Sequence, residues 1–213
     1  MPGSRQTGNS DQQTYGGPAM TTSRRALLSG FLTVPLLPLA GRDALGQDDQ
    51  LMPLTRACSD GDEPTLPREA GPFFKPNSPL KRDLYVDAPQ AERISIAGYV
   101  LDDRCRPIPQ SLVEIWHADE NGEYDRRGFR LRGHQFTDAQ GRWWFNTIVP
   151  ALYRGRTRHF HFRVQPRDGD ILTTQLFFPD EPGNARDWIF DETLLMKINT
   201  AGDGRFVRFD FIV

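Results

Sequence analysis

The chain is predicted to fold as an all-β, two-sheet β-sandwich of Greek-key type, with a Pro-rich N-terminal arm and little helix. Three observations predict it. From Ile94 onward, β-branched and aromatic residues come in runs of six to eight; Gly-containing turn pairs sit in the gaps; and no run keeps a helical period for a dozen residues. With 17 Pro and 19 Gly in 213 residues, a turn-rich domain fits better than coiled coil, collagen or disulfide knot.

In chain order, residues 1–46 read as a leader rather than as fold. The first 19 are mostly small and polar and are expected to be disordered, with translation expected to start at Met20. Arg24-Arg25 then precede an apolar run to Ala40 that Pro35 and Pro38 interrupt, too short for a stable membrane span. The paired arginines resemble a twin-arginine export signal, which makes the expected location the bacterial periplasm or the exterior. Residues 47–93 hold seven prolines between Pro53 and Pro89, a density that excludes long helices and central strands, so they read as an arm wrapped over something else. The catalytic domain is expected to be 94–213, with strands at Ile94–Leu101, Ser111–Trp116, Arg142–Ile148, His159–Val164, Thr173–Phe178 and Phe206–Ile212. Only Asn184–Leu195 could hold even a short helix.

Charge and cysteine content limit the function. The 26 Lys+Arg against 28 Asp+Glu, a formal net charge of -2, argue against a generally basic nucleic-acid or membrane-surface protein. Two cysteines, Cys58 and Cys105, cannot build a thiolate cage, so any metal must be held by N or O ligands; in an oxidising compartment the pair could form a disulfide.

Of the four histidines, His159 and His161 form a pattern. On a strand, residues i and i+2 share a face, so the two imidazoles project together with Arg163 while Phe160, Phe162 and Val164 face a core. His117 and His134 read as surface or hydrogen-bonding residues, the latter in a loop. Adjacent Trp143 and Trp144 must face opposite sides of their strand. Tyr124 and Tyr153 each close a turn, where a phenol oxygen could meet the imidazoles.

These residues together resemble the intradiol ring-cleavage dioxygenases, the family of protocatechuate 3,4-dioxygenase and catechol 1,2-dioxygenase. The carrying blocks are R-E-A-G-P-F-F (68–74), I-A-G-Y-V-L-D-D-R-C-R-P-I-P-Q-S-L-V-E-I-W-H-A-D-E-N-G-E-Y (96–124), T-D-A-Q-G-R-W-W-F-N-T-I-V-P-A-L-Y-R-G-R-T-R-H-F-H-F (137–162) and L-T-T-Q-L-F-F-P-D (172–180), in that order. The resemblance implies a prealbumin-like sandwich and one non-haem Fe(3+) per chain held by Tyr124, Tyr153, His159 and His161. It also implies Tyr153 as the ligand that leaves and takes a proton from the arriving diol, and Arg156 as the guanidinium set against charge developing on the ring. Gln175 and Pro72 would border the substrate. The implied reaction inserts both atoms of O2 into a catechol-type diol to give a cis,cis-muconate-type diacid. Two phenolates and two imidazoles suit a ferric ion better than zinc. The Tyr153-to-His159 spacing is shorter than in the best-known members, and Arg158 and Phe160 stand where Pro and Ile are usual, which leaves the choice of diol open. A homodimer is the default assembly.

Two rival readings remain. A non-catalytic transthyretin-like binding module shares the G-x-V and D-x-x-G-x-W-x-F patterns but lacks the HxH pair with both tyrosines. A cupin-like metalloenzyme shares HxH, but Gln165 stands near the place of its glutamate and no histidine follows His161.

Overall fold

The computed structural model describes residues 62–201 and 204–213. The leader, residues 47–61 of the arm and Cys58 lie outside the described residues. Among the described residues nine strands form two sheets: β1 (Arg93–Leu101), β2 (Leu112–Trp116), β3 (Arg132–Phe136), β4 (Arg142–Ile148), β5 (His159–Gln165), β6 (Leu172–Phe177), β7 (Lys197–Ala201), β8 (Gly204–Arg208) and β9 (Phe211–Ile212). One sheet runs β4-β1-β8-β7 with β9 also on β1; the other runs β3-β2-β5-β6. The all-β two-sheet sandwich is thus the observed architecture.

The period-two pattern explains the core. Ile94, Ile96 and Val100 of β1, Trp143 and Phe145 of β4, Val113 and Ile115 of β2, and Phe160, Phe162 and Val164 of β5 are all fully buried in one cluster. Aromatic rings fill its centre, with Trp143 5.3 Å from Phe162 and 5.2 Å from Phe211. Burying a side chain of this size is worth roughly 1.5–3 kcal/mol, so the alternation of β5 alone fixes which way its histidines point: outward from the sandwich.

Three expectations need correction. The C-terminal run is two strands, because Phe209 and Asp210 leave the ladder: the Asp210 carboxylate accepts from the Tyr99 amide at 3.1 Å in place of a backbone carbonyl, while Phe209 N–H bonds Ala97 O. Strand β3, with His134 on it rather than in a loop, was hidden by a sequence, R-G-H-Q-F, that has no β-type run; it is held by pairing with β2 and by His134 N–H to Pro79 O. Strand β7 was missed in the same way, since K-I-N-T-A is mostly polar. Among the described residues helix is limited to single 3-10 turns at Tyr85–Asp87, Asn184–Arg186 and Glu192–Leu194, so the Asn184–Leu195 segment is two turns separated by residues 187–191.

Residues 65–92 run across both sheets and are tied to them by backbone bonds: Thr65 N–H to Ile212 O, Arg68 N–H to Thr173 O, Lys81 N–H to His134 O and Leu84 N–H to Asn146 O. Side chains reinforce this path, with Thr174 Oγ1 donating to Leu66 O and Gln175 Nε2 to Glu69 O. Cys105 is disulfide-bonded.

Candidate metal centre

The outward face of β5 is covered as well. His159 and His161 are 5% and 3% exposed, whereas Arg163 on the same face is half-buried. Trp116, opposite His161 on β2, stacks on its ring at 5.0 Å, and a second apolar cluster of Trp116, Ala118 and Tyr124 is closed by Ala70, Phe73, Phe74 and Tyr153. The arm passes close enough that Gly71, at φ +70, would place a Cβ 3.3 Å from His161 Cε1. A side chain there would crowd the ring and strain the backbone.

Two loops bring the tyrosines to this face. Asp119 shapes the first, accepting from the amides of Asn121 and Glu123, and its carbonyl accepts from Ala151 of the second. Gly122, at φ +81, sits where a Cβ would meet Leu152 O at 2.3 Å, so the two loops touch through backbone. The second loop ends in a two-residue turn, Arg154 at φ 41 and Gly155 at φ 77, with Arg156 N–H bonded to Tyr153 O; two left-handed residues are the mark of the type I′ turn.

Three donor atoms converge. Tyr124 Oη lies 3.3 Å from His159 Nε2 and 3.1 Å from His161 Nε2, and the two Nε2 atoms are 3.2 Å apart. Burial lowers both imidazoles, His159 to about 4 and His161 well below its usual value, so both are neutral. His159 Nδ1 faces Thr157 O at 2.6 Å, which puts its proton there and leaves the Nε2 lone pair facing the triangle. Burial pushes the Tyr124 hydroxyl above the ordinary phenol range, against the pull of the Arg156 and Arg132 charges. A cation at the centre would reverse that shift by holding the phenolate. That centre is about 1.9 Å from each atom, near the roughly 2.0–2.2 Å of transition-metal bonds to N and O. The donor set therefore fits a metal ion. Among the described residues no group of three His, Cys, Asp or Glu could hold one, so the phenol oxygen completes the set.

Tyr153 stands beside the triangle rather than in it. Its ring packs edge-on to Tyr124 at 5.3 Å and to Phe73 at 5.2 Å, and it lines, with Pro72 and Phe73, a pocket of about 400 Å3. Arg156 and Gln175 are joined, Arg156 Nη2 donating to Gln175 Oε1 at 2.8 Å, and Gln175 lies opposite His161 in the β5-β6 ladder. His117 is buried and its ring is engaged elsewhere, bonded to Ala118 O and Thr147 Oγ1 at 2.7 Å each.

Sequence reasoning missed Asp187. Its fully buried carboxylate accepts from Arg156 Nε at 2.7 Å and Thr157 N–H at 2.8 Å on one oxygen, and from Ile189 N–H at 3.0 Å on the other. Because Thr157 O in turn holds His159, one carboxylate positions both Arg156 and an imidazole. Asp187 is 28 residues downstream of His159, and no local pattern marks it. Arg132, 3% exposed on β3, was missed for the same reason that β3 was.

Fold and site together define a class: a β-sandwich that presents a mixed phenol and imidazole donor set on the covered outer face of one sheet. Comparison with known proteins narrows it. A dioxygenase family model (Dioxygenase_C) matches residues 69–212, and the chain belongs to that family, the intradiol ring-cleavage dioxygenases. The protocatechuate 3,4-dioxygenase beta chain of Burkholderia cepacia is 36% identical over 138 residues, 54% of this chain and 59% of the relative. The hydroxyquinol 1,2-dioxygenase of Rhizobium sp. (strain MTP-10005) is 27% identical over 164 residues, 63% of this chain and 55% of the relative. The chain thus spans somewhat over half the length of these curated relatives. Among solved structures, the dioxygenase domain of a dioxygenase and carbohydrate-binding protein fusion from Streptomyces sp. SirexAA-E is 45% identical with a TM-score of 0.69, covering 71% of this chain and 98% of that one.

Proposed function

We propose that this protein is a non-haem Fe(3+) enzyme that uses O2 to cleave a catechol-type diol between its hydroxyl-bearing carbons, giving a cis,cis-muconate-type diacid. The single observation that carries the reading is the triangle of Tyr124 Oη, His159 Nε2 and His161 Nε2, each within 3.3 Å of the other two. Anionic oxygen with borderline nitrogen favours a ferric ion over the softer alternatives. When bound, the ion would hold the diol as its dianion and make a ring carbon reactive toward dioxygen.

The chain's own residues do the rest. Tyr124, His159 and His161 would hold the ion, with Tyr153 completing the set until the diol enters. Tyr153, half-buried on a tight turn beside Tyr124, would take one phenolic proton from the arriving diol. Arg156, pinned by Asp187 and Gln175, keeps a fixed positive charge beside the ring, where it stabilises developing negative charge without needing to reorganise. Phe73, Phe74 and Trp116 exclude water from the imidazoles. Pro72 borders the diol. We further propose export; the disulfide-bonded Cys105 and the arginine-paired leader support it.

The test is a visible absorption spectrum of the iron-loaded protein before and after anaerobic addition of a catechol, followed by admission of O2 and analysis of the product. A phenolate-to-iron band that shifts on addition, then a ring-opened diacid, is expected. A colourless iron-loaded protein would refute phenol ligation, and an extradiol product would refute the reaction.

A further inference from the structure

The two imidazoles of the triangle are held in different ways. His159 is fixed by hydrogen bonding: its Nδ1 faces Thr157 O at 2.6 Å, and Asp187 in turn holds the Thr157 amide at 2.8 Å. His161 lacks such an anchor, because its Nδ1 is buried without a hydrogen-bond partner among the described residues. A ligating histidine is ordinarily oriented by the group its second ring nitrogen bonds. Without one, the broad torsion about the Cβ–Cγ bond would let the imidazole swing and carry Nε2 off the triangle.

The ring contacts of His161 supply another restraint. Tyr124 and His159 meet it at steep interplanar angles of 63° and 80°, whereas Trp116 lies nearly parallel to it, at 5°, with centroids 5.0 Å apart. Trp116 and His161 are directly opposite in the β2-β5 ladder, so the stack is built into the register of the sheet. The indole Nε1 is itself buried without a partner, so Trp116 too is oriented by packing rather than by a hydrogen bond. Phe74 of the arm meets its ring at 5.3 Å and 61°, and the Arg163 guanidinium lies over Phe74 at 4.7 Å. Arg163 is opposite Glu114 in the same ladder, with Nη1 3.8 Å from the buried carboxylate. A column of contacts thus runs from Glu114 through Arg163, Phe74 and Trp116 to His161.

We propose that Trp116 is the positioning residue of His161: its flat face, backed by Phe74 and Arg163, sets the plane of this imidazole, where His159 relies on a carbonyl. The role rests on the metal reading above, but the ion reports the ring plane separately from turnover.

The experiment compares Trp116→Phe, which keeps a flat ring, with Trp116→Leu, which keeps apolar bulk without one, in the iron-loaded protein. Both shorten the same buried side chain, so lost packing alone would move both variants alike. Iron affinity is read by competition with a chelator, and the ligand field by electron paramagnetic resonance of the ferric ion. Trp116→Phe is expected to keep the wild-type signal and lose less than about threefold in affinity, and Trp116→Leu to lose about 10–100-fold and give a broadened or split signal. Because a change at Trp116 can unfold the chain, Phe74→Leu on the half-buried arm is the second measurement; it should broaden the signal in the same way, with a smaller loss of affinity. Equal losses in Trp116→Phe and Trp116→Leu, or a wild-type signal in every Leu variant that folds, overturn the positioning role. A wild-type signal in Trp116→Leu together with diol cleavage overturns that role and leaves the reaction standing. The Phe and Leu split in a protein that opens no diol supports the role and overturns the reaction.

Discussion

Replacing Asp187 with Asn should cost both stability and turnover, and the structure sets the size of each. Three donors point at the two carboxylate oxygens: Arg156 Nε and Thr157 N–H at one, Ile189 N–H at the other. An amide can keep only one oxygen. If that oxygen stays with Arg156 and Thr157, the new NH2 faces the Ile189 N–H, and a buried donor goes unmet at about 1–3 kcal/mol. The pair with Arg156, whose side chain is 19% exposed, also loses its charge, worth roughly another 1–2 kcal/mol after allowing for solvent on the arginine. A total near 3 kcal/mol should lower Tm by about 6–12 °C for a domain of this size.

With its anchor weakened, Arg156 should lose alignment, and kcat/KM should fall about 10–100-fold with the diol still bound. Acid supplies a further check. Burial alone would raise the Asp187 pKa, but the Arg156 hydrogen bond and the Ile189 and Thr157 amides hold it below its usual value. A depressed carboxylate contributes stability above its unfolded pKa of about 3.9 and loses it as pH falls through the folded value. The Tm gap between wild type and D187N should therefore be constant from pH 8 to about 5 and close in stronger acid. Calorimetric scans across pH with steady-state kinetics read all three effects. A Tm within about 2 °C of wild type with unchanged kcat/KM, or a gap that persists in strong acid, would refute the positioning role.

Other consequences follow from the same geometry. Tyr124→Phe and His161→Gln each remove one corner of the triangle and should abolish iron retention and colour, as measured by metal analysis and absorption; a fully loaded, coloured variant would exclude that corner as a ligand. Gly71→Ala forces a left-handed Ala, costing about 1–2 kcal/mol, and presses a methyl against His161 Cε1; Tm should drop by about 2–8 °C and iron should leave faster. An unchanged dissociation rate would show that the arm does not bear on the imidazole. His117, fully buried and neutral, has its pKa lowered to about 4 chiefly by burial. The unfolded chain, with an ordinary histidine near 6.5, binds the extra proton first, so stability should fall as pH drops from about 7 toward 4, by at most about 3 kcal/mol. Urea titrations of the metal-free protein should show a shallower slope in His117→Gln; equal slopes would assign the loss to other groups.

The sandwich and the two histidine corners of the site were legible because both depend on local periodicity, while the tyrosine corner came from the family resemblance. Alternation along 159–164 says that two histidines share a face, and turn residues around Tyr124 and Tyr153 say where the chain reverses. Strands β3 and β7 were not legible, since R-G-H-Q-F and K-I-N-T-A become strands through partners supplied from elsewhere in the chain. The break at Phe209 and Asp210 depends in the same way on a side chain replacing a distant carbonyl.

Period-two alternation is a property of neighbouring residues, so the sequence by itself determined the fold class, the outward direction of His159 and His161, and the residue types offered to a metal. Distances between residues far apart in the chain are set by packing. Only the tertiary structure decided that Tyr124 closes the triangle while Tyr153 stands beside it. It also decided that Asp187 holds Arg156, that the arm seals the imidazoles at Gly71, and that Arg132 is buried on β3 with its Nε unpartnered.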